Sequence, residues 1–245
     1  MLQKTNGIVL RSVKYGETSL IVTLFTSSFG IQAYMVQGVR SSKASRSRSS
    51  YFQPGTLLEM VVYMQTNKNM QRIREFQASY IYTSIQEDVV KNSIVLFSAE
   101  FMLRLLPEHA PLTDLFEFAQ RYFIALDTLS TRDVANFPLY FMIQCSRLLG
   151  YEPKGGYSTS TPYLDREEGG FSVHTPVVPP YTTDGDAQAL GALLLAEHYE
   201  EVTAVQMNSE MRLRLIDWYI AFLQQYAQHL GNIRSLQVLR TILHI

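Results

Sequence analysis

A single cysteine, Cys145, stands in 245 residues, which excludes an internal disulfide and any cysteine-based zinc site assembled within one chain. It falls in the helical-looking run Phe137–Leu149, where a buried structural thiol is expected. Long apolar runs are missing as well. The longest, Ala189–Ala196, is far short of the roughly 18 to 20 residues that a membrane span requires. Met1–Asn6 has no basic stretch leading into an apolar segment, so the expectation is a cytoplasmic, nucleoid-associated location without a membrane partner. Catalytic signatures are absent too: there is no GxxxxGK, GxGxxG, HExxH or GxSxG. The histidines His109, His174, His198, His229 and His244 are scattered singly. Asp165, Glu167 and Glu168 gather beside Gly169-Gly170, where acid pairs serve general acid and base chemistry in some enzymes and more simply form a solvated turn. The expectation is a protein that is not an enzyme and has no cofactor.

What is present is a 47% hydrophobic and 18% charged chain, apolar enough for a packed core and long enough for one large or two modest domains. Its net charge of −1 hides an asymmetry. Residues 1 to 79 hold ten Lys/Arg (Lys4, Arg11, Lys14, Arg40, Lys43, Arg46, Arg48, Lys68, Arg72, Arg74) against Glu17, Glu59 and Glu75, whereas the remainder is acidic. Such a split suits a first third that meets a polyanion and a remainder that does something else.

The N-terminal third reads as strands. Gly7–Tyr15, Thr18–Thr26 and Gly30–Val39 are rich in Val, Ile, Leu, Phe and Tyr and are separated by short turns. After a polar stretch, Thr56–Gln65 and Met70–Gln77 follow, joined by Thr66-Asn67-Lys68-Asn69. Five strands in about 80 residues suit a closed barrel, which leaves no edge unpaired. The longer insertion between the third and fourth matches an OB-type barrel; an SH3-like barrel has a similar strand count, and periodicity does not separate the two.

From about residue 85 the period becomes helical. Val89, Ile94, Phe97, Phe101 and Leu105 form one stripe, ended by Pro107 and Pro111. Leu115, Phe118, Tyr122 and Leu126 form a second, started by Thr113-Asp114, and Val134, Phe137, Phe141, Cys145 and Leu148 a third, ended by Gly150. These aromatic stripes are read as core. Residues 151–182, with repeated Pro and Gly, are a long irregular loop or small subdomain. Helix resumes under a cap from Asp184 or Asp186 and runs to near His198. A long helix follows from Asn208-Ser209 through Leu230 to Gly231, then a short one over Ser235–Leu243. The fold class is therefore α+β and multidomain: a five-stranded OB-type barrel over 1–80, then an all-helical domain over 81–245 with 151–182 as an irregular insertion.

One segment has specific physical content. Gly38-Val39-Arg40-Ser41-Ser42-Lys43-Ala44-Ser45-Arg46-Ser47-Arg48 places four cations among small hydroxyl residues that donate to phosphate and leave room for backbone approach. A solvated loop is the bland alternative, but its place after a barrel strand in a basic region favours phosphate contact. Tyr15, Phe25, Phe29, Tyr34 and Tyr63 offer stacking surfaces for bases wherever they face outward. Register decides that, because a slip of one residue reverses every assignment.

Gly7-Ile8-Val9-Leu10-Arg11-Ser12-Val13-Lys14-Tyr15-Gly16-Glu17-Thr18-Ser19-Leu20-Ile21-Val22, with Phe25-Thr26 and Gly30, resembles the opening of the bacterial RecO family of recombination mediators. Gly38-Val39-Arg40 resembles the start of that family's basic loop, and Leu148-Leu149-Gly150-Tyr151-Glu152-Pro153 its Leu-Gly-Tyr/Phe-x-Pro element. Tyr163–Phe171 and Arg234-Ser235-Leu236-Gln237-Val238-Leu239 resemble later family segments. The resemblance implies an N-terminal OB-fold, a helical C-terminal domain, loading of recombinase onto single-stranded DNA and annealing of complementary strands. It also implies RecR and the C-terminal tail of the single-strand binding protein as partners. The chain departs from the family in one place: many members carry two Cys-x-x-Cys pairs in the segment equivalent to 151–182, where this chain has Lys154, Tyr157 and His174, so zinc is not expected.

On that basis single- and double-stranded DNA would be bound by Arg11, Lys14, Arg40, Lys43, Arg46, Arg48, Arg72 and Arg74, whose charges screen the repulsion between two strands. Arg121, Arg132 or Arg147 would meet an acidic peptide tail. An OB-fold RNA-binding factor and a protein-interaction scaffold are the rival readings, and matched DNA and RNA oligomers separate them.

Overall fold

The computed structural model describes residues 1–39, 48–65, 67–227 and 229–243. The chain divides into two compact units, one of Met1–Gln86 with Ser98–Asp127, the other of Glu87–Phe97 with Thr128–Ile245.

In the first unit, β1 (Leu2–Tyr15), β2 (Ser19–Thr26), β3 (Gly30–Val36), β4 (Leu57–Tyr63) and β5 (Met70–Ala78) close into a barrel in the order β1-β2-β3-β5-β4. β3 and β5 run parallel and the other neighbours antiparallel. This is the Greek-key order of an OB-type barrel, and it resolves what strand count left open. Alternation fills the interior: Val22 and Leu24 of β2, Tyr34 and Val36 of β3, and Leu58, Met60 and Val62 of β4 all point inward. The segment between β3 and β4 adds Val39 and Phe52, the latter from a 3-10 turn over Ser50–Phe52. A side chain as fully buried as Phe52 contributes on the order of 2 to 3 kcal/mol.

Two bulges interrupt the alternation. On β1, Val9 pairs with Leu24 and Arg11 with Thr23, so Leu10 is the extra residue. On β5, Glu75 pairs with Val61 and Ile73 with Val62, which leaves Arg74 as the extra one.

The turn into β3 depends on Gly30, whose φ is +65° and whose missing Cβ would lie 2.2 Å from the carbonyl oxygen of Ala110. The chain after the barrel docks there: the His109 amide donates to the Ile31 carbonyl at 3.2 Å. Helix α2 (Thr113–Thr128) covers the outer side of β2 at its far end, where Phe25 and Phe116 meet edge to face at 5.5 Å. Ser98, in the second half of α1 (Val89–Leu105), lies 3.3 Å from the Tyr122 hydroxyl of α2.

Near the start of the second unit, the Asp88 carboxylate accepts from the Val90 and Lys91 amides at 2.8 and 3.1 Å and caps α1. It continues with α3 (Phe137–Leu148), β6 (Tyr163–Asp165), β7 (Gly170–Ser172), α4 (Asp184–Leu195), α5 (Tyr199–Ala204), α6 (Ser209–Leu223) and α7 (Ser235–Leu243). α3 ends in a paired turn, with the Gly150 amide donating to Arg147 and the Tyr151 amide to Ser146. Cys145 is wholly buried, and burial pushes its thiol well up, as befits a packing residue.

Two helical expectations are corrected. The cap of α4 is Thr183, whose hydroxyl accepts from the Asp186 amide while the Asp186 carboxylate accepts from the Thr183 amide. The helix stops at Leu195, and His198 starts the separate α5. The long C-terminal helix likewise stops at Leu223 rather than near Leu230. Beyond it Tyr226 stacks on Tyr151, with ring centroids 5.7 Å apart, and Leu230 reaches the core through a separate turn.

Within 151–182, β6 and β7 form a small hairpin. Lys154 pairs with it on both sides, through Gly169 and Phe171, each at 2.9 Å. Asp165 accepts from the Glu167 and Glu168 amides at 2.7 and 3.2 Å, so the acid trio is turn chemistry.

Candidate nucleic-acid interface

The outer surface of the barrel has two unlike regions, and on β1 the Leu10 bulge falls between them. Before it, Lys4 and Asn6 of β1 line a groove of about 660 Å³ with Glu59 and Val61 of β4, Glu75 and Gln77 of β5, and Ser27 and Ser28. The Gln77 amide donates to Glu59 at 2.7 Å. Two of the three acids in the first 79 residues therefore share this face.

After the bulge, Arg11 and Val13 point outward. The register sets Val13 beside Ile21, Ile21 beside Met35, Met35 beside Arg72 and Arg72 beside Tyr63, one continuous row over five strands. Val13 is 44% exposed, Tyr63 43%, and Tyr15, one step along β1, 50%. The β1–β2 turn and the β4–β5 turn lie at this same end, the end where OB barrels take oligonucleotides. Beside the row, Tyr63, Gln65, Lys68, Met70, Gln71 and Arg72 line a hollow of about 340 Å³. Gln71 builds it: its side chain accepts from the Gln65 amide at 2.8 Å and donates to the Gln65 and Lys68 carbonyls at 2.9 and 2.7 Å. That closes the β4–β5 turn and holds Lys68 near Arg72.

The residues singled out in the sequence fall in different places. Arg11, Lys14 and Arg72 are exposed on or beside this row. Arg74 sits at the β5 bulge in an ion pair with Glu75 at 3.1 Å. Arg48 lies over the ring of Phe76, 6.0 Å from its centroid, and Phe76 borders the acidic groove, so the fold does not set Arg48 beside Arg72. Arg40, Lys43 and Arg46 lie outside the described residues. Of the aromatics, Tyr15 and Tyr63 face outward, Phe29 is partly buried, and Phe25 and Tyr34 are buried; burial pushes the Tyr34 hydroxyl up to about 12. Lys68, Val13, Ile21 and Met35 were not among the candidates, and only the register reveals that they share this face.

On the helices, Arg121 belongs to the first unit and pairs with Glu117 at 3.7 Å. Arg132 is exposed in the second. Arg147 is committed to its own fold, donating to Glu152 and to the Leu194 carbonyl near the end of α4, both at 2.5 Å. Among the described residues no three His, Cys, Asp or Glu side chains come together to hold a metal ion. The irregular segment is organised by backbone pairing through Lys154 and Gly170, and its residues do not fit a zinc site. Among the described residues no helix is long and apolar enough to cross a membrane.

The fold and this face define an OB-barrel protein with a helical C-terminal region. Comparison with known proteins narrows the class. The family described as Recombination protein O N terminal matches residues 1–82, and Recombination protein O C terminal matches residues 86–161. The chain is 32% identical over 242 residues to the DNA repair protein RecO of Bacteroides fragilis, covering 99% of each. It is 28% identical over 242 residues to the RecO of Christiangramia forsetii, again 99% of each. It is 35% identical over 170 residues to that of Flavobacterium psychrophilum, 69% of this chain and 70% of the relative. The chain belongs to the RecO family, which acts in DNA repair and recombination.

Proposed function

We propose that this protein is a non-enzymatic mediator of homologous recombination that binds single- and double-stranded DNA, anneals complementary strands and loads recombinase together with RecR. Residues 1–80 act as the DNA-binding domain and residues 81–245 handle partners. The observation that carries this reading is the distribution of charge along the barrel: Arg11, Lys14, Lys68 and Arg72 are exposed toward the end that holds the β1–β2 and β4–β5 turns, while Glu59 and Glu75 lie farther along β4 and β5 in a separate groove. A polyanion laid across the turn end releases counterions and keeps away from the acids. Arg40, Lys43, Arg46 and Arg48 extend the cationic reach, and Arg74 joins them once its pairing with Glu75 is exchanged for phosphate. Two strands gathered on one protein with their repulsion screened then pair faster. No covalent bond is made or broken. The acidic tail of the single-strand binding protein meets Arg121 or Arg132, Arg147 being the weaker partner because its donors are already used. The setting is the cytoplasm, in association with the nucleoid.

The test is fluorescence anisotropy of labelled single-stranded and duplex DNA against salt, for the wild type and for Arg40→Ala/Lys43→Ala/Arg46→Ala/Arg48→Ala. Weaker binding and a shallower log K against log salt slope in the variant support loop contacts with phosphate. Equal binding by both proteins removes the loop from the site. Preference for matched RNA favours the RNA-binding alternative, and binding to neither favours a scaffold.

A further inference from the structure

We infer that the open edge of β1 is an interface between two copies of this chain, joined by an antiparallel strand pair whose two-fold axis passes through Val13. The inference stands independently of the DNA-binding reading above.

β1 outruns its partner on one side. β2 pairs with it as far as Tyr15, whereas the ladder with β4 ends at Ile8, and Gly55 and Thr56 extend that side only to Val9. Among the described residues nothing pairs with Arg11–Tyr15 on the side away from β2. Val9 fixes the direction of the backbone groups, because its amide donates to Thr56 at 3.0 Å and its carbonyl accepts from Gly55 at 2.7 Å, both away from β2. Hydrogen-bonded and non-hydrogen-bonded pairs alternate along an antiparallel ladder. Leu24, opposite Val9, therefore turns its backbone groups toward β3, and Thr23 turns its own toward β1. It follows that Arg11, Val13 and Tyr15 exchange bonds with Thr23, Ile21 and Ser19, while Ser12 and Lys14 aim their amides and carbonyls out of the open edge.

Such an edge is a template for one more strand, and the same edge of a second copy complements it. In a pair centred on Val13, Ser12 of each copy meets Lys14 of the other and exchanges both backbone bonds with it. Val13 meets its own symmetry mate in a non-hydrogen-bonded pair, the kind whose side chains lie closer. Val13 is 44% exposed and Tyr15 50%, so both have apolar surface to bury. Arg11 of each copy falls opposite the Tyr15 ring of the other, and a guanidinium is attracted to an aromatic face. No like charges stand directly opposite one another. Moving the axis to Lys14 would oppose two lysines, and moving it to Ser12 would carry the Leu10 bulge into the ladder. Charge and backbone regularity thus select the same register. So short a ladder makes a small interface of the class that associates transiently, and the dimer is expected at roughly 10 to 100 µM protein.

The experiment is sedimentation velocity of the full chain, without DNA, over a concentration series. It compares the wild type with Val13→Lys, Lys14→Pro and Lys14→Ala, after thermal melting shows that each variant keeps the wild-type fold. Val13 and Lys14 are exposed, and proline is tolerated on an edge strand where the lost amide hydrogen faced solvent. The wild type should pass from monomer to dimer as concentration rises. Val13→Lys sets like charges on the axis and Lys14→Pro removes an outward donor from each copy, so each should weaken the dimer at least about tenfold. Lys14→Ala keeps the donor and should dimerise like the wild type. A second readout is covalent: Val13→Cys places two thiols across the axis, where Cα atoms of a non-hydrogen-bonded pair lie about 4.5 Å apart, within disulfide reach. Cys145 is buried and does not compete. Mild oxidation should cross-link Val13→Cys and spare Glu59→Cys, which lies in the separate groove. A wild type that stays monomeric over this range, a Lys14→Pro variant that dimerises like the wild type, or a Val13→Cys variant that cross-links no faster than Glu59→Cys overturns the inference and leaves the DNA-binding reading in place.

Discussion

Thr83 gives both its backbone amide and its hydroxyl to a single carboxylate, that of Asp127, at 2.9 and 3.0 Å. The amides of Ser84 and Ile85 add bonds of 2.8 and 3.0 Å to the other oxygen. Asp127 lies on the last turn of α2 and is 2% exposed. One side chain thus pins the linker that leaves the barrel to a helix of the same unit. Burial by itself would raise the pKa of this carboxyl; the donors outweigh it and hold the group well below the usual carboxylate range.

Asp127→Asn should therefore destabilise the protein by roughly 2 to 4 kcal/mol, since it removes a charge-assisted acceptor and sets an amide against backbone donors. The sign with pH follows from the direction of the shift. A carboxyl that titrates lower in the folded state than the ~4 of an unfolded chain stabilises fully above that value and loses the contribution as pH falls. Urea unfolding should show the full gap between wild type and variant near neutrality, shrinking below about pH 4. A constant gap would mean that charge has no part in it.

Arg72→Ala and Lys68→Ala, each alone, should reduce the slope of log K against log salt by about 1 for single-stranded DNA. Glu59→Gln, in the separate groove farther along β4, should leave that slope unchanged. If the Glu59 variant changes the slope and the other two do not, the DNA lies along the groove of Glu59 and not at the turn end.

Asn136 donates to the Val202 and Val205 carbonyls at 3.0 and 2.8 Å and accepts from the buried Arg212 at 3.0 Å. Asn136→Ala leaves two carbonyls and a guanidinium N–H without this partner inside the second unit. A loss of roughly 2 to 4 kcal/mol is expected, and thermal melting should show it. Asn136→Asp should fare better than alanine, because it keeps the acceptor facing Arg212.

Gly170→Ala places a Cβ 2.2 Å from the Lys154 carbonyl oxygen and should lower the melting temperature by several degrees, as about 2 kcal/mol would. Treatment of the wild type with EDTA, or addition of zinc, should move the melting point by less than about 1 °C, because no ligand set ties this segment to a metal. A large downward shift with chelator would reveal a site outside the described residues.

Much of the architecture was legible because its signals are local. Alternation in Thr56–Gln65 marked β4, the 3.6-residue stripe at Leu115, Phe118, Tyr122 and Leu126 marked α2, and Gly150 marked the end of α3. Capping was legible as a place but not as a residue: Asp184 and Asp186 drew attention, while Thr183 supplies the cap and Asp186 completes the box. The end of α6 was not legible, since nothing near Leu223 breaks a helix and the stacking of Tyr226 on Tyr151 is a contact distant in sequence. The site was half legible. Arg11, Lys14 and Arg72 stand out by charge, but that Tyr63 faces outward and Tyr34 inward depends on pairing across strands. Asp127 has no signal of its own, because its partners lie more than 40 residues away.

Leu10 decides what β1 shows to the outside. Ahead of it the outward residues are Lys4 and Asn6; behind it they are Arg11 and Val13, and seven positions separate Lys4 from Arg11, an odd number. In an uninterrupted strand those two would lie on opposite faces. The bulge absorbs Leu10 as one extra residue, so Arg11 keeps the face of Lys4; were Leu10 instead taken into regular pairing, Arg11 and Val13 would turn toward the interior while Ser12 swung out. What β1 shows at its far end thus depends on a backbone irregularity as much as on composition: the same residues paired without the bulge would turn the barrel's cationic edge inside out.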